Sequence, residues 1–255
     1  MLFRSYPTLE ISDVKLLNPN KEKQIFLHAD KVVCEFSLFD LILGRSSVKS
    51  IYFFTPKLYL KKNLEHVNWN TDFLTQLNSS SQERLLNNIF VENGIVVFEN
   101  LADKITETFT KISAKMALKN SGKVFRFSGN FEFKAKKWNL NLFLQKFVNR
   151  YEAKFKLKEQ ESNLQIEAQG EGKEHDWKIN GYFKVSEPNK IFPFIGIPLL
   201  AKQLNVPMLG NFSYVSDKDK TGFPDFTVRT DGEDGITFTG SFWDKKDDVD
   251  LVFFY

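Results

Sequence analysis

A single cysteine, Cys34, in 255 residues excludes an internal disulfide framework, and it leaves the compartment open because many exported proteins carry no disulfide. Charge of either sign is not concentrated. The net charge is +3 with 26% charged residues, so no polybasic tail points to nucleic acid and no acidic tail to a solvating segment. No apolar run approaches the roughly 18 to 20 residues of a membrane span, and after Met1 only Leu2 and Phe3 precede Arg4 and Ser5, where a signal peptide would carry its apolar core. By itself the chain reads as neither inserted nor visibly exported. Catalytic signatures are also missing: there is no G-x-S-x-G, no Walker sequence and no G-x-G-x-x-G after a strand. The three histidines, His28, His66 and His175, lie far apart, and none has a partner at helical spacing, so no metal ligand set is expected. His175-Asp176 reads as a polar hairpin loop, and Asp231-Gly-Glu-Asp-Gly235 as a hairpin turn that lacks the further ligands of a calcium loop. Cys34 shares the apolar phase of its strand with Phe36, which predicts a buried, inert thiol. The expectation is a protein that is not an enzyme and uses no cofactor.

What the sequence does contain is alternation. Between Lys111 and Val185, Ile112, Ala114, Met116 and Leu118 alternate with polar residues, the turn Asn120-Ser121-Gly122 follows, and Phe125, Phe127, Phe131 and Phe133 hold one phase through Gly129 to Ala135. Trp138, Leu140, Leu142 and Leu144 repeat the pattern. Tyr151, Ala153, Phe155 and Leu157 stand against Glu152, Lys154, Lys156 and Lys158; Leu164, Ile166 and Ala168, then Trp177, Ile179, Phe183 and Val185, complete about six strands of a meander. One oily and one wet face per strand predicts an antiparallel sheet covered on one side only. The chain has 27 phenylalanines, a number that an AT-rich genome also supplies, so the phasing carries the argument. Lysines 134, 136, 137, 146, 154, 156 and 158 read as a solvated strand face, with attraction to anionic headgroups as the alternative.

The flanking segments are less regular. Thr8 to Lys15 changes phase near Ser12-Asp13, which predicts a bulge, and the turn Asn18-Pro19-Asn20 closes it. Ile25 to Leu38 changes phase at Asp30-Lys31. Ser37 to Gly44 combines a capping serine, helical apolar spacing and a terminal glycine, which predicts one or two helical turns. Val48 to Leu60 reads as a strand with Val48, Tyr52, Phe54, Leu58 and Leu60 on one face; Pro56 makes it an edge or breaks it. A helical turn over Asp72 to Leu77, a Ser-rich loop over Asn78 to Gln82, and a short helix or strand approach over Glu83 to Phe90 follow. Asn93-Gly94 is the strongest short hairpin signal. Between 187 and 206 the prolines break the chain into short pieces, with a helix expected over Ile197 to Leu204; the segment reads as a plug on the sheet end or as a membrane- or partner-touching element. Strands resume at Phe212 to Val215, Phe226 to Thr230, Ile236 to Phe242 and Val249 to Tyr255. The last run ends without a polar tail, which suggests a fragment of something longer. Two regions are expected, 1–110 with short helices and 111–255 as the meander with the insert near 187–206, continuous as one extended sheet.

The order of these features resembles the amino-terminal module of the AsmA family. The blocks are Tyr6 to Asn18, Phe26-Leu-His-Ala-Asp-Lys-Val32, Ser37-Leu-Phe-Asp-Leu-Ile-Leu-Gly44, Ile51 to Leu60 with Pro56, Asn68-Trp69, Asn93-Gly94 before a strand, and Phe125 to Phe131. The resemblance implies a bacterial envelope protein held in the inner membrane by an amino-terminal helix and facing the periplasm. It also implies an elongated, curled, half-open antiparallel sheet whose apolar concave face binds or conducts lipid in outer-membrane lipid homeostasis or assembly. The family's anchor does not precede Tyr6 and the chain is short for the family, which a truncated reading frame explains. On this reading the lipid groove is formed by Ile112, Ala114, Met116, Leu118, Phe125, Phe127, Phe131, Phe133, Trp138, Leu140, Leu142, Leu144, Tyr151, Phe155, Leu157, Leu164, Ile166, Trp177 and Ile179. Its partners are a phospholipid or other acyl-chain lipid and an inner- or outer-membrane envelope protein. The competing expectation is a closed β-sandwich, structural or adaptor, without lipid cargo. Carbohydrate hydrolysis would need paired carboxylates beside exposed aromatics, and nothing in the spacing suggests them.

Overall fold

The computed structural model describes residues 6–17, 24–44, 48–63, 67–68, 88–119, 123–173, 176–191, 193–194, 206–217, 220–231, 235–245 and 248–254. The chain is mainly β, as the alternation requires, and it divides by internal contacts into two units, Met1–Ala135 and Lys136–Tyr255. The sequence reading places the boundary between its two continuous regions at 110/111. The expected turns at 18–20 and 120–122, helices at 72–77 and 197–204, the loop at 78–82, and His66, His175 and 232–234 lie outside the described residues.

The amino-terminal unit comprises β1 (Thr8–Leu17), β2 (Ile25–Phe36), helix α1 (Leu38–Ile42), β3 (Val48–Phe54), β4 (Lys57–Lys62), β5 (Asn88–Asn100), β6 (Ile105–Lys119) and β7 (Val124–Phe133). Within it the strands pair in the order β1-β2-β3-β5-β6-β7, with β4 pairing β2 and β5 beyond the end of β3. Pro56 breaks the long run into β3 and β4, and both lie inside the sheet, so the edge alternative does not hold. Both pair with β5 in parallel, which departs from the expected all-antiparallel sheet. The physical reason is the long connection between Lys62 and Asn88, which carries the chain back to the same end before β5 begins. The helical turn after β2 is present, capped by the Ser37 Oγ, which accepts from the Asp40 amide at 3.4 Å, and followed by Gly44 at φ 70°.

Four non-glycine residues hold left-handed backbone within neighbouring strands of this unit or, for Thr55, at the break between β3 and β4: Asp13 (φ 51°), Thr55 (φ 48°), Asn93 (φ 53°) and Lys111 (φ 50°). They lie in line. Asp13 falls opposite Asp30 between the pairs Ser12–Lys31 and Val14–Ala29, Asp30 accepts from the Thr55 hydroxyl, the Thr55 amide donates to the Glu92 carbonyl at 2.9 Å, and Gly94 pairs Ile112. Each is an extra residue, a bulge in the sense that the side-chain alternation skips one position. Asn93-Gly94 is therefore not a hairpin: β5 runs straight through it, because the asparagine takes the left-handed conformation inside the strand. The phase change at Ser12-Asp13 has the same origin, and the one at Asp30-Lys31 falls directly opposite it in the paired strand. The break at Thr55-Pro56 also puts Leu58 and Leu60 on the face of Ile51 and Phe53, not of Tyr52 and Phe54 as the plain alternation suggested.

The carboxy-terminal unit is a plain up-and-down meander in which each strand pairs antiparallel with the next: β8 (Lys136–Lys146), β9 (Tyr151–Glu159), β10 (Leu164–Lys173), β11 (Asp176–Val185), β12 (Met208–Ser216), β13 (Lys220–Thr230), β14 (Thr237–Lys245) and β15 (Asp248–Phe254). A single 3-10 turn, Pro188–Lys190, follows β11 among the described residues. β13 continues through Pro224, where the register with both neighbours shifts.

Candidate functional site

Directly paired residues in adjacent strands share a face, so the registers trace apolar rows across each sheet. In the amino-terminal unit one row runs Leu9, Cys34, Ile51, Ile89, Met116, Phe127, and the next Ile11, Val32, Phe53, Val91, Ala114, Gly129. Beyond the line of bulges a third row runs Leu16, Leu27, Leu58, Val96, Phe109, Phe133. β7 carries no bulge, and it holds Phe127, Gly129 and Phe133 in one phase, so all three rows lie on one face. The bulges thus convert an interrupted sequence pattern into an uninterrupted oily surface. Phe109 stacks on Phe133 at 4.5 Å and meets Phe131 edge-on at 5.7 Å on it.

In the carboxy-terminal unit the rows are Leu140, Leu157, Ile166, Phe183, Gly210, Val228; Leu142, Phe155, Ala168, Gly181, Phe212, Phe226; and Leu144, Ala153, Gly170, Ile179, Tyr214. A fourth, Tyr151, Gly172, Trp177, lies toward the opposite end from Trp138, Glu159 and Leu164. Glycines sit beside the bulky residues for a steric reason. A Cβ on Gly172 would lie 2.5 Å from the Trp177 ring, and one on Gly210 2.5 Å from Phe183 Cε1, so these rings lie across the neighbouring strand and do not stand up from the sheet.

The structure therefore brings Ile112, Ala114, Met116, Leu118, Phe125, Phe127, Phe131 and Phe133 onto one face of the first unit. It brings Trp138, Leu140, Leu142, Leu144, Tyr151, Phe155, Leu157, Leu164, Ile166, Trp177 and Ile179 onto one face of the second. Sequence reasoning missed the share of β1 to β5, namely Leu9, Ile11, Val32, Ile51, Phe53, Ile89 and Val91, along with Phe212, Phe226 and Val228. The alternation was visible there; what hid the common face was the phase change at each bulge.

Little covers these faces. Among the described residues the buried apolar side chains are mostly small or at a sheet end, as Ala29, Val32, Ala114, Ala117, Val124, Trp138, Val185, Ile191 and Met208, while Phe53, Phe127, Leu142 and Phe155 are only half-buried.

The opposite faces are polar but not purely so. In the first unit Tyr52 stacks on Phe90 at 4.6 Å, Lys115 and Lys31 lie over Phe90 and Phe54, and Ser50, Ala117 and Val124 are buried. Burial, and then the Glu35 carboxylate that accepts from its hydroxyl at 3.2 Å, push the Tyr52 phenol above its ordinary value. In the second unit some of the lysines pair with acids on this solvated face. Lys156 pairs with Glu167 across the strands, and this contact raises the lysine and lowers the carboxyl. Lys136 lies 3.2 Å from Glu161, and in the first unit Lys134 lies 2.8 Å from Glu107.

One end of the second sheet is closed. Glu159, on the oily face between Trp138 and Leu164, is 1% exposed. Its carboxylate accepts from the Ser162 hydroxyl, from the Ser162 amide at 2.8 Å and from the Glu161 amide at 2.9 Å, with Lys136 at 3.9 Å. Burial alone would raise this carboxyl; the Ser162 and backbone donors and Lys136 outweigh it and hold the group below the usual range. The Ser162 carbonyl accepts from the amides of Ser186 and Glu187, Pro188 and Ile191 are buried, and Phe194 lies 5.4 Å from Trp138. The described part of the expected plug thus packs on the sheet end.

No group of three or more His, Cys, Asp or Glu side chains that could hold a metal exists among the described residues. His28 faces Asp13 at 2.9 Å, and hydrogen bonds from Lys15 and then His28 lower that carboxyl. Cys34 is half-buried, less than the sequence suggested, and burial raises its thiol. No helix among the described residues is long and apolar enough to cross a membrane. No protein-family model matches the chain, and none of the curated proteins or solved structures compared with it matches either.

Proposed function

We propose that the apolar sheet faces bind the acyl chains of lipids, and that the protein carries or conducts lipid in the bacterial envelope, on the periplasmic side of the inner membrane, as the sequence resemblance to AsmA proteins suggests. The observation that carries this reading is the set of apolar rows that cross six strands in each unit with no second layer of described residues over them. Six strands at about 4.8 Å spacing span about 24 Å. One leaflet's hydrocarbon is about 15 Å thick, so an extended acyl chain fits along a row. The flat rings over Gly172 and Gly210 keep the floor low enough for a chain to lie on it. Catalysis plays no part in this function, and the cargo is held by burial of its methylenes.

The test is to purify the folded protein, extract it with organic solvent and identify what is released, in parallel with a variant carrying Phe127→Asp, Phe131→Asp and Leu142→Asp. Diacyl lipid from the wild type and little from the variant is the expected outcome. Equal lipid from both, or none from either after incubation with phospholipid, would overturn the proposal in favour of a structural or adaptor domain.

A further inference from the structure

Helix α1 is apolar on nearly every side and buries no residue. Leu38 is 53% exposed, Phe39 71%, Leu41 38%, Ile42 74%, and the capping residue Leu43 51%. At about 100° per residue these five side chains sweep about 200° of the helix circumference, and Asp40 alone falls in the gap. A helix that docks in a protein groove offers a stripe about 100° wide. An apolar arc twice that width would stay half uncovered in such a groove, whereas an apolar liquid covers all of it at once.

The charge at this end of the sheet agrees with that medium. The helix stands at the end of the first sheet where β1 and β3 begin and β6 ends. Lys49, Lys119 and Lys123 lie at the same end, with the Lys49 ammonium 3.5 Å from the Tyr6 ring centroid. We infer that α1 inserts into an anionic lipid surface and that these lysines meet its headgroups, so that this end of the amino-terminal unit stands on a membrane. The inference is independent of what the sheet faces carry.

The test uses the full chain and two vesicle preparations, phosphatidylcholine alone and phosphatidylcholine mixed with phosphatidylglycerol, read by co-sedimentation. The wild type is expected to sediment with the mixed vesicles and less with the neutral ones. Phe39→Asp with Ile42→Asp should weaken that binding by about tenfold or more, since each side chain exchanges apolar contact for a charge. Because both residues are exposed, the melting temperature should not change; Phe39→Ser with Ile42→Ser provides a milder pair with the same expectation. Lys119→Glu with Lys123→Glu should abolish the preference for the mixed vesicles. Phe155→Asp, on the second unit's apolar face, should sediment like the wild type, which separates this inference from the lipid-carrying proposal. Wild-type protein that ignores both vesicles, or helix variants that bind as it does, would overturn the inference. So would a wild-type dimer that dissociates in the helix variants, which would assign the patch to a second copy.

Discussion

Phe155→Asp separates an open apolar floor from a sealed core more sharply than any other single change. Phe155 lies between Leu142 and Ala168 in a row that continues to Gly181, Phe212 and Phe226, and it is half-buried with nothing described above it. A chain along this row lays about a dozen methylenes on the floor. Each contributes about 0.8 kcal/mol when wholly buried and about half that when one side is covered, so the contact is worth about 5 kcal/mol. A carboxylate beneath the hydrocarbon costs about 3 kcal/mol on the membrane-insertion scale. That difference is about two decades in affinity. The empty protein should lose only the packing of a half-covered ring against small neighbours, about 1 kcal/mol, which lowers Tm by about 2 to 4 °C. The assay pairs a titration with a fluorescent fatty acid against a thermal melt. Unchanged affinity in the folded variant would refute the floor, and failure to fold would refute the openness, because a charge in a sealed core typically costs more than 4 kcal/mol.

Three other outcomes follow from particular contacts. Glu159→Gln should destabilise the closed end of the second unit by about 1 to 3 kcal/mol, because it weakens the acceptor for Ser162 and two amides. Since the folded-state pKa of Glu159 is depressed, its contribution is present above the ordinary carboxylate range and is lost as pH falls below about 4.5; wild-type melts should show that loss and Glu159→Gln melts should not. Asn93→Val should cost about 1 to 2 kcal/mol in urea unfolding, because a β-branched residue resists φ 53°, whereas Asn93→Gly should cost little or stabilise. Gly172→Ala should push the Trp177 ring off the strand at a cost of about 1 to 3 kcal/mol, visible as a change in near-UV circular dichroism.

The meander from 111 to 185 was legible because side chains two apart must share a face, and no bulge interrupts β7 or β9 to β11. Ser37 and Gly44 announced α1 for local reasons, the hydroxyl cap and the left-handed exit. Asn93-Gly94 misled because the same left-handed preference serves a hairpin turn and a bulge inside a strand. Whether a chain reverses there depends on which strands are ready to pair on either side, and β3, β4 and β6 hold β5 straight. Glu159 gave no signal as a buried carboxylate, since its donors come from its own turn and its cover from residues 186–194.

The sequence by itself determined the class of fold and the amphipathic character of the strands, because alternation is a local property that the pleat of an extended chain turns directly into faces. Only the tertiary structure decided that oily positions out of phase in β1 to β6 lie on one surface. That outcome depends on a left-handed residue in each of several strands aligning side by side, and register between strands far apart in the chain is fixed by their pairing, which no single stretch of sequence contains.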